Sequence, residues 1–443
     1  MTAALLDMAR GACPALDAPM QTGDGLLSRI ALMDWISPTS LGQICHLAQL
    51  HGNGVIDISQ RGNLQVRGLT AASTSALEAG IRSLNLPLRE GLAVEWTPLA
   101  GMEPDAACDP RPLGLAIIDH ARGLRGRLAP KLSVVLDVGG VVRFDHLLAD
   151  IRLTAQPEAE GLRWTVMLGG TAQNGLLLGS VADADICHLV CLLLDHLAEQ
   201  GPKARGRSLT RHNLPDQILR FVLPDVAEAR PCWSDQSNPL SLPHDKGIVC
   251  LGLPFGQMKA ELMLELCQHA QAFGIERLKP SPNHALLLVG QPAACMSLLR
   301  EAQQIGFTTE ANDPLSAIDA CAGRPACRSA HLATHELGRF AASQTPELFD
   351  GTLRLHLSGC AKGCAHPTAS MLTFVGTETG SRLVFCGKTT DTALKQLAPH
   401  TEKAAIVALS ALIGAERRSG ETNHDCLTRL GPEKIAAALD EGH

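Results

Sequence analysis

CHLAQLHGNGVIDISQRGNLQVRGL, residues 45–69, returns in altered form at 267–290 as CQHAQAFGIERLKPSPNHALLLVG. An offset of 222 (267 minus 45) lays Gly52 on Gly274, Ser59 on Ser281, Leu64 on Leu286 and Gly68 on Gly290. Each segment reads as a helix closed by glycine, a short strand, a turn and an alternating strand. Such self-similarity is read before local pattern, because it sets the architecture. The likeness continues at an offset of 221, where Leu136-Asp137-Val138 falls on Leu357-Ser358-Gly359. A duplicated chain of this kind folds as two lobes facing each other across a cleft. Helices alternating with short strands make its class α+β.

The halves differ in chemistry. The second carries CAGRPAC (321–327) and SGCAKGCAHP (358–367), a C-x5-C and a C-x3-C pair, where the first carries DVGG (137–140). Cys321, Cys327, Cys360 and Cys364 can supply four thiolates to a [4Fe–4S] cluster, one sulfur to each iron. Gly323, Pro325, Gly359, Gly363 and Pro367 place them in loops where backbone approaches something closely. Structural zinc is a competing reading, although it prefers closer pairs than C-x5-C. A disulfide framework is another, better suited to short secreted chains. Five of the remaining cysteines, Cys45, Cys187, Cys191, Cys250 and Cys267, lie in apolar runs and read as packing residues.

Composition narrows the function. The chain has 443 residues, 45% hydrophobic and 19% charged, enough for several cores. It has no tyrosine and 3% aromatics, which speaks against stacking platforms for single-stranded nucleic acid. A net charge of −7 indicates no general polyanion surface, so no nucleic-acid partner is expected. The most apolar run, ICHLVCLLLDHL, is short and broken by Asp195 and His196, so no membrane span is expected. The N-terminus lacks a basic region followed by an unbroken apolar stretch, and many thiols are unpaired; a cytoplasmic location is the expectation.

With the cysteine pairs, SQRGNLQVRGL (59–69) resembles the sirohaem-dependent nitrite and sulfite reductase superfamily, over roughly residues 20 to 415. Within it, GDGLLSRI (23–30), HLLADIRL (146–153) and above all HLSGCAKGCAHP (356–367) resemble the precorrin-3B synthase family. The resemblance implies paired ferredoxin-like half-domains and two larger α/β domains around a central cleft. The expected boundaries are a half-domain at 15–85, a cluster-free α/β domain at 86–200 and a connector at 201–245. A second half-domain follows at 246–310, then a cluster-bearing α/β domain at 311–443. Departures from the reductases are visible. Ala361-Lys362 stand where those carry Pro-Asn, His366 where they often carry arginine, and a basic pair is reduced to Lys131, Leu132 and Ser133. These changes favour a tetrapyrrole other than sirohaem.

The precorrin-3B synthase resemblance implies a monooxygenase that hydroxylates precorrin-3A at C20 with O2 and closes a γ-lactone. It implies a [4Fe–4S] cluster, a mononuclear non-haem iron and an electron donor. A sirohaem-dependent reductase is the alternative, and a non-catalytic electron-transfer or tetrapyrrole-binding protein a second one. A substrate rich in carboxylates explains arginine in an acidic chain. Arg61, Asn63, Gln65 and Arg67 share one face of an extended strand, a polar comb that the resemblance places at the cleft. Lys131, by the same likeness, and Arg111 are further substrate-binding candidates. Lys362 and His366, beside the cluster cysteines, are the catalytic candidates. Ligands for a mononuclear iron are left open, with His366, His356 and Asp137 possible by position.

Overall fold

The computed structural model describes residues 14–159, 161–223, 247–366 and 368–441. The N-terminal 13 residues, the second half of the expected connector (224–245) and Pro367 lie outside the described residues.

In the first half, β1 (Met20–Thr22), β2 (Gly25–Ile30), α1 (Pro38–His51), β3 (Val55–Ile58), β4 (Leu64–Leu69) and α2 (Ala71–Ser83) build a half-domain. There follow β5 (Ala93–Trp96), α3 (Arg111–Arg122), β6 (Ser133–Asp137), β7 (Ile151–Glu158), β8 (Gly161–Leu168), β9 (Leu176–Ala182) and α4 (Asp183–Gln200). A short α5 (Asp216–Leu219) precedes the repeat. Its half-domain comprises β10 (Ile248–Gly252), β11 (Gln257–Lys259), α6 (Ala260–Phe273), β12 (Arg277–Ser281), β13 (Ala285–Val289) and α7 (Pro292–Ile305). The last domain has β14 (Ile318–Ala320), the single turn α8 (Gly323–Ala326), α9 (Thr334–Gln344) and β15 (Leu355–Ser358). It ends with β16 (Ser370–Thr377), β17 (Gly380–Gly387), β18 (Lys395–Leu397), α10 (Glu402–Glu416) and α11 (Asn423–Glu441).

The start of α1 follows from its sequence. Ser37 Oγ caps Ser40 N–H, and Pro38 opens the first turn, where its missing donor costs nothing. Leu41, Ile44, Cys45 and Ala48 then fall on one buried stripe. The partner helix α6 buries Met263, Leu266, Cys267 and Ala270, each 222 residues further on, and ends at the left-handed Gly274. These helices pack on each other, and both half-domains share a single hydrophobic core. Cys45, Cys250 and Cys267 are fully buried in packing roles, whereas Cys187 and Cys191 on α4 are half-buried.

Each half-domain also lends backbone to the other. Strand β11 pairs with β3 in the sheet β1-β2-β4-β3-β11, while Ile36 bridges to Leu278 of β12 in the sheet β10-β13-β12. Two five-stranded sheets of identical plan complete the fold, β5-β6-β7-β8-β9 and β14-β15-β16-β17-β18. In both, the first three strands run parallel and the rest antiparallel. Separate cores lie under α3 and α4 in the first and under α9, α10 and α11 in the second. The duplication and the α+β class are therefore as the sequence indicates. No helix among the described residues is long and apolar enough to cross a membrane.

Candidate active site

Cys321 directly follows β14, and Gly359-Cys360 directly follow β15, so both cysteine loops leave the carboxyl ends of adjacent parallel strands. Open α/β sheets place their sites at such ends. Gly359 N–H donates to Cys321 Sγ at 3.1 Å, tying the second loop to the first cysteine. Lys362 Nζ crosses back to Ser329 Oγ at 2.7 Å. The second loop turns at Gly363, whose φ of +61° suits glycine. Burial pushes the Cys364 thiol up, and so do the charges of Cys321, Cys360 and Cys327, while Lys362 opposes them. The four cysteines are thus close enough for the charge of three to bear on the fourth.

A group of three or more His, Cys, Asp or Glu side chains suited to a single metal ion is absent among the described residues. A four-iron cluster is a different demand, because each thiolate bonds its own iron and the ligands stand further apart. Cys321, Cys327, Cys360 and Cys364 offer the four thiols such a cluster takes, on two loops joined by the Gly359 N–H to Cys321 Sγ bond. The mononuclear iron expected by resemblance finds no such fit. Asp137 is buried on β6 of the other sheet, where it accepts from Gly139 N–H at 3.1 Å and faces Arg143 at 3.8 Å. His356 is wholly buried on β15, with both ring nitrogens lacking a hydrogen-bond partner. Burial pushes its pKa down to about 4, against the charge of Asp319.

His366 stands above His356, with ring centroids 5.6 Å apart, and both its nitrogens are engaged. Nδ1 meets Asp319 Oδ2 at 3.1 Å, and Nε2 meets Thr368 Oγ1 at 2.8 Å. Asp319 also takes Arg354 Nη1 at 2.8 Å. Burial raises the Asp319 pKa, but His366 and Arg354 outweigh it and hold it at about 2. Neither Asp319 nor Arg354 stood out in the sequence. The only signal was position, since Asp319 lies two residues before Cys321.

The comb divides. Arg61 lines a cleft with Asn63, Arg89, Trp96, Phe144 and Lys279, and its Nη2 donates to Leu148 O. Asn63 Oδ1 accepts from Arg89 at 3.2 Å, and Gln65 is half-buried between Arg29 and Asp57 in the register. Arg67 differs from the expectation of a substrate-facing cation. It is buried and gives two hydrogen bonds to Asp24, at 2.8 and 2.9 Å, and one to Asp57 at 3.0 Å. Two carboxylates of the chain itself take up its charge. Lys131 is exposed at the amino end of β6, away from the loops at the carboxyl end. Arg111 is exposed too and grips Asp109 with both Nε and Nη2, at the edge of a cavity of about 150 Å³. Lys279, absent from the sequence reading, borders both cavities; it donates to Met33 O at 2.8 Å, and burial lowers its pKa to about 8.

The fold is of nitrite/sulfite reductase architecture. Residues 18–84 match the nitrite/sulfite reductase ferredoxin-like half domain. The structure of Mycobacterium tuberculosis NirA protein superposes with a TM-score of 0.70 at 16% identity, covering 93% of this chain and 84% of that one. A chloroplastic ferredoxin–nitrite reductase of Oryza sativa subsp. japonica is 22% identical, over 84% of this chain and 72% of its own. A precorrin-3B synthase of Sinorhizobium sp is 37% identical over 98% of this chain and 95% of its own. The chain belongs to the precorrin-3B synthase family.

Proposed function

We propose that this protein is an oxidoreductase of corrinoid synthesis, which hydroxylates precorrin-3A at C20 with O2 and closes a ring acetate as a γ-lactone. The observation that carries this reading is the full-length similarity to a precorrin-3B synthase, 37% against 22% for the nitrite reductases. One oxygen atom enters the substrate and the other leaves as water, which takes two electrons and two protons from an external donor. A [4Fe–4S] cluster on Cys321, Cys327, Cys360 and Cys364 supplies one-electron transfer when bound.

The chain's own residues bind and orient. Arg61, at the cleft between the halves, is assigned to a substrate carboxylate, with Asn63, just before β4, lining the same cleft. His366, oriented by Asp319, is assigned to a second carboxylate through Nε2, exchanging its bond to Thr368. Lys362 places a positive charge beside the cage, which favours the reduced cluster. Arg111, already paired with Asp109, and Lys131, exposed at the far strand end, have no assigned role in binding. No step is assigned to a mononuclear iron.

The test is oxygen uptake by cluster-loaded protein given precorrin-3A and a reductant. Uptake matching substrate loss supports the reading. Turnover of nitrite or sulfite without precorrin-3A consumption would move the protein to the reductases.

A further inference from the structure

We infer that the turn Thr22–Gly25, backed by Arg67, is a clamp that fixes the loop Cys321–Cys327 and so positions Cys327 for the cluster. The inference rests on the cluster reading above. It gives GDG, the start of a motif singled out in the sequence, a physical role.

Gly23 lies against the loop's backbone. A Cβ built there would come within 2.5 Å of Arg328 N, 2.6 Å of Ala326 O and 2.8 Å of Cys327 C. All three are main-chain atoms, which cannot swing aside as a side chain can. Gly23 is not among the positive-φ glycines, so its own backbone accepts alanine. The contact alone demands glycine.

Asp24, the next residue, is held from three sides. Arg67 gives it two hydrogen bonds, Asn53 Nδ2 gives one at 3.1 Å, and Thr22 Oγ1 gives one at 2.8 Å. Beyond Asp24, Arg67 Nη2 points at Ala326 O, 3.5 Å away, and Nη1 is anchored on Asp57. The guanidinium therefore lies between the turn of one half and the cysteine loop of the other, across 259 residues of sequence. A rigid strand carries the arginine, and the arginine sets the turn against the loop. Groups that hold ligand-bearing residues in this way orient the ligands, and removing them typically changes metal affinity 10- to 100-fold. Cluster potential responds likewise to the hydrogen bonding and exposure that loop position controls.

The test compares full-length wild type, Gly23→Ala, Asp24→Asn and a control, Gly414→Ala, whose added methyl meets nothing within 4 Å. Each is reconstituted anaerobically with iron and sulfide. The readings are iron release to a chelator, the electron paramagnetic resonance signal and midpoint potential of the reduced cluster, and thermal unfolding of the apo-protein. The clamp predicts that Gly23→Ala and Asp24→Asn release iron about 10- to 100-fold faster, with altered signal and potential. The Gly23→Ala apo-protein should still unfold cooperatively, at a temperature lowered by the backbone shift the methyl forces. Release, signal and potential at wild-type values would overturn the clamp, even if unfolding shifts. If Gly23→Ala does not fold, Asp24→Asn decides by the same readings. A wild type that takes up no cluster overturns the ligand assignment, and the clamp falls with it before any variant is compared.

Discussion

Ile36 and Leu278, from opposite halves of the chain, hydrogen-bond reciprocally, Ile36 N–H to Leu278 O at 2.9 Å and Leu278 N–H to Ile36 O at 2.8 Å. Shifting this pair by the repeat offset gives Met258 and Ile56, which are register partners in turn. Each half-domain thus completes the other's sheet. Neither buries its apolar face alone, because both contribute to one core.

That arrangement makes the half-domains a single unfolding unit. Ile44→Ala and Leu266→Ala remove fully buried side chains at equivalent positions, and each should cost about 2–5 kcal/mol. Both variants should shift the same urea transition. Two transitions, with each variant moving only one, would contradict the shared core.

The cage assigns iron–sulfur colour to four residues. Cys327→Ser or Cys360→Ser should abolish the charge-transfer absorption that dithionite bleaches, while Cys45→Ser, buried against Cys267, should keep it. Equal loss in both sets would reject the ligand assignment. The same spectrum of anaerobic wild type should lack a Soret band. A Soret band with a further band in the red would mean bound sirohaem.

Arg61 and Arg111 should separate in substrate binding. Arg61→Ala removes a cation from the cleft and should weaken precorrin-3A affinity about tenfold or more, with the cluster intact. Arg111→Ala breaks only an exposed pair with Asp109 and should change affinity little. Isothermal titration of both variants checks this, and the reverse order would move the binding face.

Asp57 gives a pH signature. Burial raises its pKa from 3.8 to about 6, against the charge of Arg67. Between those values the folded state holds a proton that the unfolded chain has lost, so stability falls as pH rises through this window. The full effect is on the order of 3 kcal/mol. Asp57→Asn should flatten the dependence between pH 4 and 6 in denaturant titrations. An unchanged slope would place the titration elsewhere.

Much of this was legible in the sequence, and the reasons are local. The repeat showed because Gly52, Ser59, Leu64 and Gly68 recur as Gly274, Ser281, Leu286 and Gly290, at the helix stop, turn and strand that both halves share. The cysteine loops showed because glycine and proline punctuate them. Strand exchange between the half-domains did not show, since β11 is three residues long and Ile36 makes a single bridge. Alternation on β4 put Arg67 on the correct face but could not reveal Asp24, which arrives 43 residues away and takes its charge. Asp319 and Lys279 were invisible for the same reason, being defined by what tertiary packing brings beside them.

The central claim is oxygen insertion into a tetrapyrrole. Cluster-loaded protein should be given precorrin-3A, a reductant and 18O-labelled dioxygen, and the product analysed by mass spectrometry. The account predicts one labelled atom in the macrocycle, none from labelled water at that position, and no product without oxygen. Conversion without the label, or binding without any conversion, would contradict it.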